Sequence, residues 1–112
     1  MRLVSAIGPA RVRMPETAAV GDIIEIRALV QHPMESGFRP DATGRPIPRH
    51  IVRVFTCHYD GREVFRAALH PAVAMNPYFL FHVRAVASGE FVFRWEDDQD
   101  GMARHSTRLT VT

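Results

Sequence analysis

Ile51-Val52-Arg53-Val54-Phe55-Thr56-Cys57-His58-Tyr59, then Asp60-Gly61, then Arg62-Glu63-Val64-Phe65-Arg66-Ala67-Ala68-Leu69, is the stretch that decides the fold. Its period is two. Ile51, Phe55, Cys57 and Tyr59 fall on one face, and Val52, Val54 and Thr56 on the other. Asp-Gly between two such runs is a strong hairpin signal, because both central residues of the tight turn need positive φ. The stretch therefore predicts an antiparallel hairpin whose first strand is apolar on both faces.

The same period continues outward in both directions. Before the hairpin, Ile24, Ile26, Ala28 and Val30 alternate with Glu25, Arg27 and Leu29, following a Gly21-Asp22 turn. After it, Asn76-Pro77 opens a strand from Tyr78 to Val86, with Tyr78 and Leu80 on one face and Phe79 and Phe81 on the other. Ser88-Gly89 turns that strand into Glu90–Trp95, where Phe91, Phe93 and Trp95 line one side. The run Glu96-Asp97-Asp98-Gln99-Asp100-Gly101 reads as a solvated hairpin turn before a last strand carrying Leu109 and Val111. With Arg11–Met14 this makes about seven short antiparallel strands and no helical period. The expected fold is all-β, an immunoglobulin-like β-sandwich, as one domain over residues 1–112.

A chain of 112 residues can bury a core without staples. Its net charge is +2, and all the basic charge is arginine, spread along the chain. A nucleic-acid binder would concentrate that charge on one face, so no nucleic-acid partner is expected. The single cysteine, Cys57, excludes an intrachain disulfide. Met1 to Arg11 lacks the apolar core of a secretory signal, and no run approaches the ~18 apolar residues of a membrane span. Neither a membrane partner nor an export signal of its own is expected.

Between two apolar runs lies a long loop, His32-Pro33-Met34-Glu35-Ser36-Gly37-Phe38 through Pro46-Ile47-Pro48-Arg49-His50. Loops beyond about 12–15 residues are uncommon in compact domains and tend to be functional or disordered. Pro33, Pro40, Pro46 and Pro48 stiffen this one, and Met34, Phe38 and Ile47 argue against disorder. An ordered surface loop points to recognition. So do the two strands that are apolar on both sides, since one face of each can fill the core and the other needs cover. A second protein is the simplest cover.

Catalytic patterns are thin. No serine sits in a G-x-S-x-G setting, and the acidic run at 96–101 lacks the ligand spacing of a calcium loop. Cys57, His58, His32, His50 and Met34 are the ligand types of a blue-copper site, but Cys57 lies mid-strand and points away from His58. His32-Pro33-Met34 is similar to the iron-site loop of superoxide reductases, which need more histidines and a nearby cysteine. No metal and no cofactor is expected. Cys57, between Phe55 and Tyr59 on one face, reads as a buried, inert thiol. His32, His50 and His82 read as loop anchors or interface residues rather than catalysts.

Five motifs, in order, resemble one family: His32-Pro33-Met34-Glu35-Ser36-Gly37, Ile47-Pro48-Arg49, Phe55-Thr56-Cys57, Asn76-Pro77-Tyr78-Phe79, and Gly89-Glu90-Phe91 with Phe93, Trp95, Asp97 and Asp98. Together they are similar to SoxZ, the smaller subunit of the SoxYZ sulfur-carrier complex of bacterial thiosulfate oxidation, from about Ala10 to the C-terminus. The resemblance implies an immunoglobulin-like, non-catalytic subunit in a tight heterodimer with a SoxY-like carrier protein. That partner's C-terminal Gly-Gly-Cys-Gly-Gly arm holds the sulfur intermediate, and this chain, ending Arg-Leu-Thr-Val-Thr, has no such arm. It also implies a periplasmic location reached with the exported partner, and transient contact with the sulfur-oxidation enzymes through the complex. The expected partner contacts are Pro33, Met34, Glu35, Ser36 and Gly37 with Asn76, Pro77, Tyr78 and Phe79, anchored by Met34 and Tyr78. Two alternatives stay open: a small copper or non-haem iron redox protein on the same scaffold, and a SoxZ-like subunit serving another pathway.

Overall fold

The computed structural model describes residues 7–112; residues 1–6, on which the leader reading partly rests, lie outside the described residues. Eight strands follow one another in the described chain: β1 (Ala10–Arg13), β2 (Thr17–Ala18), β3 (Ile23–Val30), β4 (Val52–Tyr59), β5 (Arg62–Ala68), β6 (Tyr78–Arg84), β7 (Gly89–Asp97) and β8 (Met102–Val111). They form two sheets, ordered β1-β3-β6 and β2-β8-β7-β4-β5. The β4–β5 hairpin closes where the sequence places it. Asp60 and Gly61 take φ of 50° and 80°, and Tyr59 pairs with Arg62 across the two-residue turn.

Alternation puts one face of each sheet into a shared core. Ile24, Ile26, Ala28 and Val30 face Phe55, Cys57, Phe91, Phe93, Trp95 and Leu109, all buried. Phe55 is the hub, stacked on Phe79 at 4.7 Å between ring centroids and tilted against Trp95 at 4.9 Å. Such ring pairs add stabilisation of about 0.5–1.5 kcal/mol beyond the area they bury. Tyr59 closes one end of the core. Its hydroxyl accepts N–H bonds from Val86 (3.2 Å) and Ala87 (3.0 Å) and donates to the Ala87 carbonyl, pinning the β6–β7 connection to the end of β4.

Three details depart from the sequence expectation. An eighth strand exists, and it is parallel: Thr17 and Ala18 pair with Thr110 and Val111. Pro15 ends the run begun by β1, and the chain crosses to the other sheet within three residues, too short a segment for any periodicity. The second face of β4 needs no foreign cover, because Thr56, only 8% exposed, lies between Arg66 of β5 and Arg94 of β7. The aliphatic stems of such side chains cover apolar surface while their charged ends stay wet. And the 96–101 turn is not simply solvated, since Asp97 is 4% exposed.

Candidate functional site

The 32–50 loop is held at its base by a buried trio from three parts of the chain. The Asp97 Oδ2 lies 2.8 Å from His50 Nε2 and 3.3 Å from His32 Nε2, while its Oδ1 accepts the N–H groups of Gln99 (2.9 Å) and Gly101 (2.6 Å). Burial alone would raise the Asp97 pKa. The hydrogen bonds from His50, Gln99, Gly101 and His32 together outweigh it and hold the carboxyl below its usual range. Burial lowers the His32 pKa despite its bond to Asp97, so His32 is neutral at physiological pH. Asp98 completes the clamp by accepting the Ile51 N–H at 3.0 Å and pairing with Arg49 at 2.9 Å.

Three ligand-type atoms within 4.8 Å of one another raise the question of a metal. The hydrogen-bond pattern answers it. His32 Nδ1 accepts the Met34 N–H at 3.0 Å, which assigns the proton of the neutral ring to Nε2, the nitrogen facing Asp97. A cation at Nε2 would have to displace that proton and give up the Nδ1 lone pair's bond from the Met34 N–H or leave the ring anionic. The trio is a closed lock that ties the loop to the β7–β8 turn, which agrees with the anchoring role expected of His32 and His50.

The nine residues expected to contact a partner divide sharply in this arrangement. Met34 is 7% exposed, in the left-handed region at φ 50°, with its sulfur 3.2 Å from the Val52 N–H. Its side chain belongs to this chain's own core, so the structure corrects its expected use as a surface anchor. Pro77 is buried, and Phe79 is half-buried against Phe55. Asn76 is exposed but works as a bracket: its Oδ1 accepts the His32 N–H at 2.9 Å, and its own N–H donates to the His32 carbonyl at 2.8 Å. Pro33, Glu35, Ser36 and Gly37 are half-buried at the loop base. Glu35 exchanges two 2.8 Å backbone bonds with His50 and pairs with Arg39, and the Ser36 Oγ accepts the Phe38 N–H at 3.1 Å. Gly37 has φ of 90° and would bring a Cβ within 3.2 Å of the Arg49 Cβ, so any other residue there is strained. Of the set, Tyr78 alone presents a large exposed side chain, at 52%.

Tyr78 does not stand alone. On the outward face of β1-β3-β6 it is joined by Leu80, 47% exposed, and by the half-buried Leu29. The pairing Leu29↔Tyr78 and Arg27↔Leu80 makes these three one surface, while Ile23 lies at the far end of β3, opposite Arg84 and beyond Glu25 and His82. The sequence pointed to β6 by its two apolar faces, but the arginines of β1, on the far side of β3, share this face with it only through the sheet register. Cys57 is fully buried, and burial pushes its thiol pKa up to about 12, so it is no nucleophile at neutral pH.

A family model described as sulphur oxidation protein SoxZ matches residues 12–108. No curated protein sequence matches the chain. Among solved structures, a superoxide reductase (neelaredoxin) from Ignicoccus hospitalis is similar at 16% identity, over 95% of this chain and 82% of that one, with a TM-score of 0.69. The sulfur carrier protein SoxY from Chlorobium limicola f thiosulfatophilum is similar at 15% identity over 97% and 81% of the two chains, with a TM-score of 0.65. A putative superoxide reductase from Thermotoga maritima is similar at 19% identity over 94% and 86%, also at 0.65. At these identities the likeness is one of fold, an all-β sandwich.

Proposed function

The chain belongs to the SoxZ family and is a sulfur-oxidation protein of the Sox system, and from that premise we propose that it is a non-catalytic subunit binding a SoxY-like carrier. The partner's C-terminal cysteine arm carries the sulfur intermediate. This chain holds the carrier and helps present the arm to the enzymes that act on it. The observation that supports the reading best is the outward face of β1-β3-β6, where Tyr78 and Leu80, 52% and 47% exposed, lie side by side next to Leu29. Large apolar patches on soluble proteins mark interaction sites. The buried Cys57 supports it as well, because a thiol with a pKa near 12 is unsuited to carrying sulfur itself. Export with the partner to the periplasm belongs to the same proposal.

The test is co-expression with a SoxY-like protein and measurement of the mass of what co-purifies. A one-to-one complex with sulfur species on the partner's terminal cysteine supports the reading. Failure to associate at micromolar concentration overturns it.

A further inference from the structure

The two outward sheet faces carry their charges differently. On the five-stranded sheet acids answer several of the arginines, although Arg94 also faces Arg104: Arg66 pairs with Glu63 at 2.9 Å, Arg94 lies 3.8 Å from Glu96, and Glu90 sits opposite Arg108 in register. On the three-stranded sheet the alternation that points Tyr78 and Leu80 outward also turns out Arg11, Arg13 and Arg27. Arg13 lies directly opposite Arg27, a like-charge pairing that weakens a sheet unless an anion joins it. The one carboxylate on this face is Glu25, already bonded to Arg27 at 2.7 Å and 3.8 Å from His82. Among the described residues no acid pairs with Arg11 or Arg13.

These side chains wall a cleft. About 390 Å³ of space is lined by Arg11, Arg13, Arg27, Leu29, Gln31 and Tyr78. Its cationic lining comes from the three arginines and its apolar lining from Tyr78 and Leu29, with Leu80 next to Tyr78 on the same face of β6. Guanidinium groups bind carboxylates through two parallel N–H bonds, and arginine and tyrosine dominate protein interfaces energetically.

We propose that this cleft is the acidic socket of the partner interface: a protein surface that inserts one or more carboxylate side chains between Arg11 and Arg13 while apolar side chains cover Tyr78 and Leu80. The inference rests on the proposed carrier-subunit role and adds where the partner sits and what charge it brings. A partner docked here answers the two unmatched arginines and covers the apolar surface at once.

The test is titration of the full chain with a SoxY-like partner at low and high ionic strength, using wild type, the Arg11→Glu/Arg13→Glu double variant, and Arg104→Glu on the five-stranded face. Thermal midpoints of each chain alone confirm folding, and Arg13→Gln serves if the double variant is unstable. The proposal expects a one-to-one complex for wild type, weakened by salt, and about tenfold or more weaker binding for the double variant. Arg104→Glu should bind like wild type. A wild-type complex indifferent to the Arg11 and Arg13 changes, or equally sensitive to Arg104→Glu, overturns the socket and leaves the carrier-subunit reading standing. Absence of any wild-type complex removes both. Self-association of the chain alone that the double variant abolishes overturns the socket in favour of a second copy as occupant.

Discussion

The β7–β8 turn and the outward face of β1-β3-β6 are both charged in sequence and opposite in structure. In the turn, Asp97 gathers His32, His50, Gln99 and Gly101 and is 4% exposed. On the sheet face, Arg11 and Arg13 have no acidic partner among the described residues, near a Tyr78 that is half exposed. One region satisfies its polar groups internally and fixes a loop. The other leaves them to be satisfied from outside. Charge density alone does not separate structure from recognition, whereas the presence or absence of partners within the chain does.

That contrast breaks in a definite order. Asp97→Ala strands N–H donors of four residues, those of His32 and Gly101 buried, and should cost about 3 kcal/mol or more in urea unfolding, since each loses a bond to an ionised acceptor. Met34→Ala should cost about 2–3 kcal/mol of stability, as expected for truncating a buried methionine. A surface anchor at that position would instead lose affinity and keep its stability. Tyr78→Ala should do the reverse of Met34→Ala: about 2 kcal/mol less partner affinity in calorimetric titration, with a thermal midpoint close to wild type.

The lock also gives stability a pH dependence of known sign. His32 and Asp97 both have pKa values lowered by folding, so the unfolded chain binds protons more readily than the folded one. Their stabilisation is complete above the ordinary histidine value of 6.5 and falls as pH drops below it, then falls further below the ordinary aspartate value of 3.8. Urea midpoints measured from pH 7.5 to 4 should decline with acid, and an acid-stabilised protein would contradict the lock. The smallest effect is expected at Phe38 in the loop, which is 85% exposed. Phe38→Ser should change stability by no more than about 0.5 kcal/mol.

Much of this was legible from residues alone. The β3 alternation, the Asp60-Gly61 turn and the one-sided aromatic face of β7 gave the sandwich, because each is a local pattern of period two. The doubly apolar β6 directed attention to Tyr78, whose side chain is 52% exposed. What escaped depended on distant pairing. Asp97 looked like a solvent residue because its histidines lie 65 and 47 positions away. Met34 looked like an interface anchor because nothing local shows its sulfur reaching the Val52 N–H. The cover over Thr56 comes from side chains on two neighbouring strands, and β2 is two residues long.

The central claim is that the outward face of β1-β3-β6 receives the carrier subunit. Its most direct test is calorimetric titration of a SoxY-like partner into wild type and into the Tyr78→Ala/Leu80→Ala double variant, both shown to be folded. One-to-one binding by wild type, and binding at least about 30-fold weaker by the variant, is the predicted result. Equal affinity of the two proteins for the partner would contradict it.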